Sequence, residues 1–216
     1  MHGQPEFDLF EAIYTTRSMR RLRPDPVAPA VIVRIIEAAT MGPSGSNRQP
    51  WTFVVVTDAQ TRAQVAERYR KAWEVYFRPQ MRARLEREPD SPQSKIIRSA
   101  KYLAEHIGEV PVMIFACVKR YHDAARKGQP MWGAIFPAVQ NLCLAARAYG
   151  LGTSITGLHM MFAGEIDEKL GVPSDYANVA LIPLGYPRGR WGRPQRKPAL
   201  GVTFWNKWGV RRERVE

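Results

Sequence analysis

The sequence predicts a single domain in which helices and buried strands share one core, and three observations lead there. Apolar runs of strand length stand at residues 51–57 (WTFVVVT), 110–118 (VPVMIFACV) and 179–184, separated by segments of helical spacing. Residues 131–149, MWGAIFPAVQNLCLAARAY, carry one charge, Arg147, so a helix there is apolar nearly all round and belongs at the centre. A length of 216 residues, 45% apolar and with six tryptophans, is enough for a substantial core and argues against disorder.

In chain order, residues 7–15 read as a short helix, with Asp8 near its start and Phe7, Phe10, Ile13 and Tyr14 at helical spacing. TTRSMRRLRPDPV follows (15–27), placing Arg17, Ser18 and Arg20 after a helix and before Pro24 and Pro26 break the chain. Two guanidiniums with a hydroxyl between them can clamp a phosphate, because arginine matches its oxygens bidentately; the same residues also suit a charged surface turn. Residues 29–41 form a helix opened by Pro29, with Val31, Ile32, Ile35, Ile36 and Ala39 as its apolar stripe.

That helix delivers the stretch GPSGSNRQPWTF (42–53). Its glycines and serines would let backbone approach a flat ligand, and the Asn47 and Gln49 amides would offer donors and acceptors to a ring edge. The composition is equally that of an ordinary connecting loop. The strand at 51–57 is expected to be buried on both faces, from its unbroken apolar run. Residues 60–88 are a long charged helical region interrupted by Pro79, 89–94 a link, and 95–106 a further helix. In the central helix Pro137 sits near the first turn or makes a kink. Gly150-Leu151-Gly152 ends it; lying after a helix and lacking a third glycine in register, this is no dinucleotide fingerprint. Residues 153–157, TSITG, are small and hydroxyl-rich, and a short helix at 165–170 precedes the third strand. The remainder, from 185, is rich in Arg, Gly, Pro and Trp and reads as an extended arm.

The net charge of +12 suits nucleic acid, a membrane surface or an anionic small molecule. No RNA-recognition aromatic pattern, zinc-finger spacing or helix-turn-helix is present, so neither nucleic acid nor membrane is the expected partner. Cys117 and Cys143 are expected as separate buried thiols. His2, His106, His122 and His159 show no metal-ligand spacing, and His159 is expected to be structural. No nucleophile elbow, P-loop or pair of carboxylates stands out, so an enzyme of this composition would rely on a bound cofactor. No signal pattern opens the chain and no apolar run has membrane-spanning length, so a soluble cytoplasmic protein is expected.

TRSMRRLRPDPV, GPSGSNRQPWTFVVV, AVQNLCLAARAYGLGTSITG and LIPLGYP…RKP, in this order, resemble the FMN-dependent nitroreductase family over residues 8–198. The resemblance implies an α+β nitroreductase-like fold: a single domain (1–216) with a mixed central sheet flanked by helices. It further implies an entwined homodimer with FMN at the subunit interface and a C-terminal arm, residues 198–216, wrapping the partner. Carried over by position, Arg17 and Ser18 would hold the FMN phosphate side and Arg20 the pyrimidine edge. Pro43, Ser44 and Asn47 would reach the flavin from the other subunit. Ile155, Thr156 and Gly157 would line the ring, with Thr156 and Gly157 at its N5 atom as the catalytic positions. Arg196 would bind phosphate, with Arg193 nearby. Thr16 stands where the family often has a further arginine. Thr156 is similar to the iodotyrosine deiodinase branch, and another branch fragments its own flavin. The implied activity is transfer of reducing equivalents from NAD(P)H through FMN to a nitroaromatic, quinone or related small-molecule acceptor, by alternating half-reactions. Residues 66–108 are expected as an active-site lid. A non-catalytic flavin carrier or sensor is the alternative, and a nucleic-acid-binding module a more distant one.

Overall fold

A computed structural model describes residues 5–122 and 126–212; His2 and the last four residues of the C-terminal arm lie outside that range. The elements follow the expected order: α1 (Leu9–Thr15), α2 (Pro29–Thr40), β1 (Trp51–Val56), α3 (Ala59–Tyr76), α4 (Pro79–Arg87), α5 (Pro92–His106), β2 (Val112–Lys119), α6 (Trp132–Ala148), β3 (Gly152–Thr153), α7 (Ala163–Leu170) and β4 (Tyr176–Gly185). The strands form one sheet in the order β1-β2-β4-β3, every neighbouring pair antiparallel. Among the described residues, parallel pairing, the other component of the expected mixed sheet, occurs at a single bridge, Ser18 to Thr153.

Local sequence explains where the helices start and stop. Asp8 caps α1 by accepting from the Glu11 N–H, and Asp58 caps α3 by accepting from the Thr61 N–H. The helical region expected over 60–88 is interrupted at Pro79, as expected, and forms two helices, because Pro79 cannot continue a helix and instead opens α4. The expected link at 89–94 is half absorbed: Ser91 caps α5 and Pro92 begins it. Pro137 lies inside α6, within its first turns.

The sheet is covered on both faces. Alternate residues of β2 point opposite ways, so Ile114, Ala116 and Val118 join the cluster made with α2 and α6. Met113, Phe115 and Cys117 join the cluster made with α3 and α5. Strand β1 differs from expectation. It is an edge strand with β2 as its one neighbour, and Thr52 and Val55 are exposed. An unbroken apolar run reports burial only when a second neighbour and a second layer are present. Helix α6 is central as expected, with Ile135, Ala138, Val139, Leu142 and Ala146 fully buried.

Candidate active site

One cavity, of about 670 Å³, is built where the segment after α1 is clamped between β3 and the arm. On one side the Met19 N–H donates to the Thr153 carbonyl at 2.7 Å. That approach requires glycine at 152, since a Cβ there would lie 2.8 Å from Met19 Cβ. On the other side the Arg23 N–H donates to Tyr186, the Arg188 N–H to Arg21, and the Arg17 guanidinium to the Arg190 carbonyl at 2.9 Å. Arg17, Ser18, Ile155, Arg193 and Arg196 thereby line one space, although up to 179 positions separate them in sequence. Among the described residues none of these three arginines pairs with a carboxylate. The lining also holds Thr16, whose hydroxyl is buried without a hydrogen-bond partner, and Cys143, whose thiol burial pushes up to about 11.

A second cavity, of about 450 Å³, adjoins the first through Ile155, which lines both. Its walls include Arg20, Tyr69, Trp73, Tyr76, Ser154, Thr156 and Gly157. Pro183 helps to explain why this loop is available. Thr153 pairs with Leu184 and Thr156 with Leu181, and in that register Pro183 stands opposite Ser154, where it has no N–H to give. Pairing is interrupted across Ser154 and Ile155, and both residues face the cavities.

The polar groups here are few: Tyr69 and Ser154 are buried, Arg20 and Thr156 half-buried. Burial pulls the Arg20 guanidinium below its ordinary value, with the neighbouring Tyr69 opposing, and it too lacks a carboxylate partner among the described residues. Burial likewise raises the Tyr69 phenol, whose OH sits 2.9 Å from Thr156 Oγ1. The Thr156 N–H is committed to the Leu181 carbonyl at 2.9 Å. Of the groups expected to meet a ring at this point, the Thr156 hydroxyl and the Gly157 N–H remain; the latter has no acceptor among the described residues. Ser154 Oγ is buried with no hydrogen-bond partner.

The loop with Pro43, Ser44 and Asn47 is not brought to either cavity within this chain. Gly45, Ser46, Arg48 and Pro50 line a separate one, of about 400 Å³, with Tyr121 and Arg126. The loop is held by its own side chains: Ser44 Oγ accepts from the Gln49 N–H, and the Gln49 amide donates to Asn47 Oδ1. Gly42 serves packing more than ligand approach, because a Cβ there would sit 2.9 Å from the Ala138 nitrogen of α6. His159 is structural, as expected: buried, lining neither cavity, and donating through Nε2 to Asn178, whose amide donates to Asp167. Burial holds its imidazole down at about 4. The sequence marked Thr16 only as the place of a missing arginine, and gave no sign of a role for Ser154 or of the pairing of Tyr69 with Thr156. One signal was available: Tyr69, Trp73 and Tyr76 form an aromatic stripe at helical spacing along a charged helix. No helix among the described residues is long and apolar enough to cross a membrane.

Comparison with known proteins bears on this geometry. The model of the Nitroreductase family matches residues 13–186. An NADH dehydrogenase of Thermus thermophilus is 30% identical over 237 residues, covering 93% of this chain and 97% of that protein. Iodotyrosine deiodinase 1 of Rattus norvegicus is 27% identical over 184 residues, covering 83% of this chain and 62% of that protein. The chain therefore spans about three fifths of the deiodinase's length. The solved structure of an FMN and NADPH-dependent nitroreductase, NfnB from Sphigopyxis sp. strain HMH, superposes with a TM-score of 0.70 at 23% identity. It does so over 94% of this chain and 100% of that one, a likeness of fold.

Proposed function

The chain belongs to the nitroreductase family, and from that premise we propose that it is a flavin-dependent oxidoreductase using FMN and NAD(P)H. One observation carries the reading: a cationic cavity without paired carboxylates joins, at Ile155, an aromatic-walled cavity of about 450 Å³. The residues present fit FMN. A buried hydroxyl left without a partner costs about 1–3 kcal/mol, and one such group stands in each cavity, Thr16 Oγ1 and Ser154 Oγ. Both would gain a partner from a polar ligand.

In this reading Arg17, Ser18 and Arg196 hold the phosphate, with Arg193 supporting them. Arg20 faces the ring, where its charge favours the electron-rich state. The Thr156 hydroxyl and the Gly157 N–H meet the reacting edge. FMN, when bound, supplies hydride acceptance from NAD(P)H and onward transfer of electrons to an electron-poor acceptor such as a nitroaromatic or quinone. Tyr69 fixes the direction of the Thr156 hydroxyl, and Trp73, Tyr76, Leu158 and Met161 keep water from the site. Residues 66–108, which supply Tyr69, Trp73, Tyr76, Ala100 and Leu103 to this wall, act as the lid that selects the acceptor. Pro43, Ser44 and Asn47 complete the site from a second copy in a homodimer, around which the C-terminal arm folds.

Anaerobic titration with NADPH and then NADH tests the proposal. Flavin absorbance bleached by one nucleotide and restored by a nitroaromatic or quinone is expected; absorbance unmoved by both would favour a carrier. A second reading, reductive dehalogenation of an aromatic, is favoured by the Thr156 hydroxyl and by similarity to iodotyrosine deiodinase 1. Release of iodide from an iodophenol by the dithionite-reduced protein would select it.

A further inference from the structure

The one charge in the otherwise apolar α6 lies outside both cavities, yet it contacts α1 and the arm, two of the segments that supply lining residues to the cationic one. Arg147 is buried at the last turn of α6. Its Nη2 donates to Glu11 Oε1 at 3.0 Å and its Nε to Thr15 Oγ1 at 3.1 Å, both on α1. The Thr15 hydroxyl is turned to accept because it donates to the Glu11 carbonyl. The guanidinium also lies over two rings, Phe7 just before α1 at 4.6 Å and Trp191 on the arm at 4.3 Å. Trp191 adjoins Arg190, whose carbonyl receives Arg17. Arg193, two residues on, lies over the Tyr14 ring of α1 at 4.8 Å.

We propose that Arg147 is the positioning residue of the anion pocket: it pins α1 and the arm to α6 and so sets the separation of Arg17, Arg193 and Arg196. A lysine would not serve, since the flat guanidinium alone can stack on both rings while forking to a carboxylate and a hydroxyl. This inference rests on the flavin reading given above and goes beyond it by assigning the phosphate's grip to a residue that does not touch phosphate.

The test is the ratio of riboflavin to FMN dissociation constants, measured by fluorescence quenching on the full-length protein freed of flavin. The ratio isolates the phosphate's share of binding. In Arg147→Ala it is expected to fall about tenfold, with riboflavin affinity little changed, as for one member of a coupled network. Trp191→Ala, which frees the arm but leaves the Arg147–Glu11 pair, is expected to reproduce the fall and guards against an Arg147 variant that does not fold. Arg147→Lys should recover only part of it. Equal loss of both flavins, or an unchanged ratio in Trp191→Ala, would overturn the positioning role while leaving the flavin reading intact. Wild-type protein that binds neither flavin would overturn both.

Discussion

Replacing Gly42 by alanine probes whether the loop after α2 is set by contact with α6. A Cβ at 42 would stand 2.9 Å from the Ala138 nitrogen, 3.0 Å from its Cα and 3.3 Å from its Cβ. Two of these three are backbone atoms of the most buried helix, so no side-chain rotation relieves the overlap and α2 must move from α6. Overpacking of this kind costs about 1–3 kcal/mol. For a chain of this size each kcal/mol shifts the melting temperature by about 2–4 °C, which gives a fall of about 2–12 °C. The assay is thermal unfolding followed by far-UV circular dichroism, with Gly164→Ala as its internal control. Gly164 lies in α7, where an added Cβ meets nothing within 4 Å, and that variant is expected to be neutral or up to about 1 kcal/mol more stable. Equal melting temperatures for Gly42→Ala and wild type would refute the packing argument and return Gly42 to the role of a ligand-facing residue.

Three further outcomes follow from the site. Arg20 is desolvated with no carboxylate beside it among the described residues, so Arg20→Met should stabilise the flavin-free protein by about 0.5–2 kcal/mol while weakening FMN binding. A variant that loses stability and keeps affinity would contradict this. Tyr69→Phe deletes the 2.9 Å contact with Thr156 and should cost about 1 kcal/mol, read as a lower urea midpoint at constant slope; an unmoved midpoint would show that the two hydroxyls do not pair. His159, held down at about 4 by burial, takes up its proton more readily when unfolded. Its contribution is therefore present above the unfolded value near 6.5 and is lost as pH falls from there toward about 4. The loss amounts to roughly 3 kcal/mol. Asp167, raised by burial, acts with the opposite sign, so the slope of stability between about pH 6.5 and 4 is read against that of a His159 variant. His159→Phe should flatten it in urea titrations, and an equally steep variant would remove His159 as its source.

Much of this was legible in the sequence because it is local. Helix ends marked by Asp8, Pro29 and Pro79, the unbroken apolar run of β2, and the paired arginines after α1 all act within a few residues of themselves. What was not legible depends on which distant pieces meet. The apolar run of β1 looks the same at a sheet edge as at its centre, so its half-exposure needed the strand order. Gly42 looked like a residue for approaching a ligand, and only α6 shows what it approaches. Pro183 falls within the strand expected at 179–184, and its consequence lands on Ser154 and Ile155 through the register of β4 with β3. Arg147 read as one stray charge until Glu11 and Trp191, 136 positions before it and 44 after it, closed around it. Pro43, Ser44 and Asn47 mark the limit of one chain, since its folding leaves them apart from the two joined cavities.

The central claim is that the two cavities meeting at Ile155 hold one flavin whose phosphate lies among Arg17, Arg193 and Arg196. The visible absorption spectrum of the purified protein, with the released chromophore identified by chromatography, tests it most directly. Flavin bands are expected, with FMN as the released compound, one per chain, and both lost when Arg17 and Arg196 are replaced by alanine together. Protein that stays colourless after incubation with FMN would contradict it, as would bound flavin that survives loss of both arginines.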